Sequence, residues 1–150
     1  MTQHITIEIA GVCIAIHSDD RLDDWDVDAA YRPFVCDRKA DIHLRLLPGN
    51  PAIDDAAQIF DSSPIWTLHR HGEATAFKIF DHFHDQKRIL VLDSDMRAAK
   101  LYFPNADSDF VNPFYGPTLE LLLIQYLTHE RSMIVHASGI DDGGRGLLFV

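Results

Sequence analysis

Nine histidines invite a metal-site reading of this sequence, and two pairs of them are spaced to act together. His69 and His71 stand two residues apart, as do His82 and His84. On a strand such neighbours point to one face, and two pairs brought together would make a zinc site. The chain between them argues against it. A hairpin turning at Gly72 sets His69 opposite about Phe80 and carries His82 and His84 toward the other end of the ribbon. The four therefore read as two separate surface pairs. Six aspartates between positions 19 and 28 suggest calcium, since carboxylates at alternate positions are good oxygen ligands. Counted from Asp24, a calcium loop finds Asp26 and Asp28 in place. Ala29, however, fills the sharp-turn glycine position, and Val35 stands where the bidentate glutamate belongs. The stretch reads instead as a solvated loop or a helix start. Ser138 near His136 is too common a pairing to count as nucleophile and base, and the five-residue nucleophile elbow is absent. Cys13 and Cys36 lack metal-ligand spacing and read as free thiols of a reducing compartment.

The informative segment is the C-terminal one. Met133-Ile134-Val135-His136-Ala137 is followed by a turn at Asp141-Asp142-Gly143-Gly144-Arg145 and then by the apolar run Leu147-Leu148-Phe149-Val150. A phosphate-binding loop needs a buried strand in front of it and a helix behind it, so that backbone N–H groups and the helix N-terminus converge on phosphate. An apolar tetrad preceded by Gly146 supplies such a strand. Residues 133–150 resemble the entry to the P-loop of HPr kinase/phosphorylase and its relatives, in which a strand histidine precedes a Gly-containing turn and an apolar strand runs into the glycine-rich loop. The resemblance implies that His136 is the family's active-site histidine. It also implies that Leu147 to Val150 end where the first loop glycine would follow. The Ile-rich opening, the element at residues 31–34 and the meander of strands resemble the N-terminal region of HPr-kinase-like proteins, not that of HPr kinase itself. Ala137 stands where the family proper has glycine, so HPr does not carry over as the substrate. The implied parent is an ATP-dependent serine kinase or P-loop ATPase using ATP and Mg. The chain itself, lacking the loop's Gly, Lys and Ser/Thr, is expected to hold no cofactor and no metal and to be non-catalytic alone.

The positioning elements follow from periodicity. Isoleucines at 5, 7 and 9, then Val12, Ile14 and Ile16, alternate as one face of a hairpin or a bulged long strand. Residues 40–46 alternate likewise, ended by Pro48-Gly49-Asn50-Pro51; residues 54–60 read as a short helix. Strands are expected at 65–70, 75–82, 87–92 and 99–103, with turns about every ten residues, the signature of an antiparallel meander. Leu119, Leu122, Leu123, Tyr126 and Leu127 recur at helical spacing behind Pro117, giving the clearest helix in the sequence. Two strands, 132–137 and 146–150, follow. The expected fold is α+β: a mainly antiparallel β-meander sheet, one clear helix in the C-terminal half, and two strands leading toward an absent P-loop. Residues 1–112 would be a β-rich accessory domain, and 113–150 the helix and strands that lead into a P-loop core.

Length and charge bound the function. A 150-residue chain buries about two thirds of its unfolded surface, enough for a core without disulfides. A formal net charge of −10 repels phosphate backbones and anionic headgroups. Nucleic-acid and membrane partners are therefore not expected, and a basic protein or a second copy of the chain is the partner class left open. No apolar run is long enough to span a bilayer and the N-terminus lacks a signal-peptide pattern, so the expected location is cytoplasmic. The rival to the P-loop reading is a self-contained, non-enzymatic binding module with an acidic surface.

Overall fold

In the computed structural model, which describes residues 3–18, 30–53, 55–81, 86–103, 112–114, 116–135 and 137–149, the N-terminal alternation becomes a hairpin of β1 (Gln3–Ile9) and β2 (Val12–Ser18). Ala10 and Gly11 form its two-residue turn with φ of 52° and 83°. Both central residues are left-handed, which matches the twist of the flanking strands. Six more strands complete the sheet: β3 (Ile42–Pro48), β4 (Ala57–Ser62), β5 (Trp66–His71), β6 (Ala74–Asp81), β7 (Gln86–Leu92) and β8 (Ala98–Phe103). The helix α1 (Thr118–His129) follows, and β9 (Ser138–Asp142) with β10 (Arg145–Phe149) forms a separate hairpin.

The strand order is β1-β2-β3-β8-β7-β6-β5-β4, and this corrects the expected meander. β3, third from the β1 edge, runs parallel to both of its neighbours, β2 and β8, while the other pairs are antiparallel. The sheet is mixed, and the chain is mostly β with one α-helix among the described residues. The alternation in β3 misled because it reports burial on one face, not the direction of a neighbour. Direction is set by connection length: a parallel pair needs a long crossover. Residues 19–41 provide one between β2 and β3, and the whole β4–β7 excursion provides the other.

One face of the sheet carries the main core. Ile7, Ile14, Ile16, Ile42, Leu44, Phe77, Ile79, Leu90, Leu92 and Leu101 meet Leu119, Leu122, Leu123 and Tyr126 of α1 in a single cluster. Each such side chain, fully buried, contributes about 1.5–3 kcal/mol. α1 is closed by a left-handed residue, Arg131 at φ 58°, with Ser132 N–H donating to the Leu127 carbonyl and Arg131 N–H to that of Thr128. That is the geometry glycine usually supplies. Among the described residues, the opposite face carries a small cluster of Ile53, Ala76 and Ile89, flanked by Ala56, Val91 and Tyr102.

Two local expectations are also corrected. Residues 57–60 lie in edge strand β4, not in a helix, with a register shift between Gln58 and Phe60; Asp54 lies outside the described residues. A seven-residue helix is below the length that stands alone, whereas β4 gains a ladder with β5 and the Phe60–Trp66 ring contact at 5.4 Å. The strand expected at 132–137 is instead β9, beginning at Ser138. Gly143 and Gly144, at φ 57° and 84°, make a two-residue turn, and its register pairs Asp142 with Arg145 and Ser138 with Phe149.

Candidate functional site

His136, the residue singled out for catalysis, lies outside the described residues; its described surroundings are unusual for a folded chain. Met133 is 78% exposed, Ile134 and Val135 each 45%. In the hairpin, Ile140 and Leu147 sit directly opposite each other and are 56% and 49% exposed, while Leu148, pointing to the other face, is 68% exposed. Thus β10 presents apolar side chains on both faces, and Asp141 Oδ1 accepts from Gly144 N–H at 2.8 Å to brace the turn.

Of the two histidine pairs, only His69 and His71 lie among the described residues. β5 and β6 pair His69 with Ala76, four positions from the expected Phe80, because the turn takes only Gly72 and Glu73 and pairs His71 with Ala74. His69 is 4% exposed and hydrogen-bonds through Nε2 to the Thr67 hydroxyl at 2.9 Å, and His71 Nδ1 lies 3.0 Å from Asp55. His82, His84 and the aspartates of 19–28 lie outside the described residues. Burial, with help from Lys78, pushes the His69 imidazole below its ordinary value. The unfolded chain therefore binds more protons than the folded one below about pH 6.5, and stability falls as pH drops through that value until the lowered folded value is reached. One such group gives at most about 1.4 kcal/mol per pH unit. Replacing His69 by Gln should flatten this part of the stability profile, measured by urea denaturation at a series of pH values. An identical acid slope in the variant would show that His69 does not contribute.

A second constellation was missed in the sequence and lies on the face of the sheet opposite α1. The turn at Ala10-Gly11 sets Glu8 directly opposite Cys13 and His4 directly opposite His17. The chain leaving the 3-10 turn at Arg32–Phe34 runs beside β1, bridging Val35 to Ile7, with Cys36 N–H donating to the Thr6 carbonyl at 2.9 Å. It then passes to β3, where Asp41 accepts from Cys13 N–H through Oδ2 at 2.9 Å. This path brings the Glu8 carboxylate and the Cys13 and Cys36 sulfurs within 4.8 Å of one another. Arg38 Nη1 donates to Glu8 Oε1 at 2.6 Å. Burial pushes the Cys13 thiol up, and the nearby Arg38 guanidinium opposes that rise. Along the same face His4, His17 and His43 stack at centroid distances of 5.7 and 5.3 Å, with His17 Nε2 3.0 Å from His43 Nδ1. Hairpin register alone, counted outward from Ala10-Gly11, could have found Glu8–Cys13 and His4–His17. Nothing local signals Cys36 or His43, which arrive by the long crossover.

No protein-family model, curated protein or solved structure matches the chain. The resemblance to HPr-kinase-like proteins therefore stands on the sequence segments that suggested it. No helix among the described residues is long and apolar enough to cross a membrane.

Proposed function

We propose that this chain is the N-terminal, non-catalytic portion of an HPr-kinase-like P-loop kinase or ATPase, and that β9–β10 lead into its nucleotide core. The observation that carries the reading is β10 itself. Leu147 and Leu148 are exposed on opposite faces of one strand. A strand apolar on both faces suits the interior of a sheet covered on both sides, which is the setting of a strand that feeds a P-loop. In such a parent His136, which the resemblance makes the family's active-site histidine, would polarise a nucleophile or a phosphate oxygen.

In the 150-residue protein the exposed hairpin should exchange its amide hydrogens quickly and promote self-association at high concentration. Leu148→Glu should suppress the association, read by sedimentation. In a protein extended through the residues that follow Val150, the β9–β10 amides should become protected. Equal protection in the two lengths would contradict the proposal.

A further inference from the structure

We propose that Glu8, Cys13 and Cys36 form a binding site for one zinc ion on the face of the sheet opposite α1, independently of any nucleotide chemistry. Two sulfurs and a carboxylate oxygen already lie within 4.8 Å of one another. Around tetrahedral zinc, with bonds of about 2.3 Å to sulfur and 2.0–2.2 Å to oxygen, such atoms stand roughly 3.5–3.8 Å apart. Closing the set therefore takes a contraction of about an ångström, within the reach of side-chain rotation. The donor types select the metal, because thiolates with a single carboxylate suit zinc and not calcium or magnesium, which prefer all-oxygen shells.

Charge supports a divalent ion. Two thiolates and a carboxylate carry three negative charges; Arg38, held at 2.6 Å from Glu8, returns one positive charge. The remaining two are neutralised by one divalent cation. Arg38 occupies Glu8 Oε1 and leaves Oε2 for the metal, the arrangement in which an outer hydrogen bond orients a ligating carboxylate. Hydrogen bonds hold the backbone of both cysteines: β1 pairs across from Cys13, the Asp41 carboxylate accepts from the Cys13 amide, and the Thr6 carbonyl accepts from the Cys36 amide. A surface depression of about 360 Å³, lined by Cys36, Arg38, Thr6 and Asp37 among others, opens beside one of the three ligands, Cys36. Binding replaces two S–H bonds by two Zn–S bonds and releases two protons to solvent, with no change of oxidation state. It would tie the crossover segment to the first hairpin, adding to the Val35–Ile7 bridge and the Arg38–Glu8 pair.

The test uses the reduced, chelator-treated protein titrated with Co²⁺ as a spectroscopic probe, then with Zn²⁺. One Co²⁺ per chain should give a thiolate-to-cobalt charge-transfer band with intense tetrahedral visible bands, and Zn²⁺ should bleach them while two protons appear per ion bound. Cys36→Ser, at a half-buried position, should lose the charge-transfer intensity of one thiolate and weaken binding by at least about 100-fold; Glu8→Gln should weaken it by about 10-fold or more. His43→Ala, on the same face but outside the set, should bind as the parent does. A weak octahedral cobalt spectrum, unchanged affinity in Cys36→Ser, or ready formation of a Cys13–Cys36 disulfide in zinc-saturated protein would each overturn the site.

Discussion

In a protein extended through the glycine-rich loop, His136→Ala should lower turnover by roughly 100- to 10,000-fold while leaving ATP affinity nearly unchanged. Loop amides, a lysine and magnesium hold the phosphates in such sites, so the histidine adds little to binding. It acts, on this account, when a proton moves, and an imidazole exchanges protons near neutral pH with a small energetic penalty. A histidine that merely packed would behave in the opposite way: thermal stability would fall and turnover per folded molecule would hold. Measuring melting temperature and turnover on the same variant separates the two. Lowered stability with unchanged turnover would remove His136 from the chemistry.

The fold makes an independent prediction of comparable size. Phe77→Ala should destabilise the protein by about 3–5 kcal/mol, a large share of the 5–15 kcal/mol typical of a domain. Phe77 is 1% exposed, stands edge-on to Trp66 at 5.5 Å and belongs to the cluster that α1 covers. Phe60, in contact with the same Trp66 but 55% exposed on edge strand β4, should cost less than about 1 kcal/mol when changed to alanine. Urea denaturation of the two variants reads the difference. Equal losses would mean that the helix-covered face is not the stabilising core.

Much of the element order is legible in the sequence, for a local reason. Period-two apolar patterns mark β1, β2, β3 and β5–β8, and the 3.6-residue recurrence marks α1, because each element buries one face. Topology is not local. The parallel placement of β3 between β2 and β8 depends on where residues 19–41 and the β4–β7 excursion travel. The misplaced strand at 132–137 shows the same limit, since Met133, Ile134 and Val135 look like a buried strand but are exposed beyond the end of α1. The Glu8–Cys13–Cys36 cluster was half visible: a two-residue turn fixes Glu8 opposite Cys13, but residues 13 and 36 meet only through tertiary structure. Expectations for the acidic stretch, for His82 and His84, and for His136 fall on residues outside those described.

Calorimetric titration of Mg·ATP into the 150-residue protein and into the extended one decides whether β10 feeds a P-loop, as proposed. The expected result is no binding in the micromolar range for the shorter chain and micromolar binding for the longer, a difference that appears only once the loop's lysine and Ser/Thr are present. Micromolar binding or ATP hydrolysis by the 150-residue chain would contradict the account.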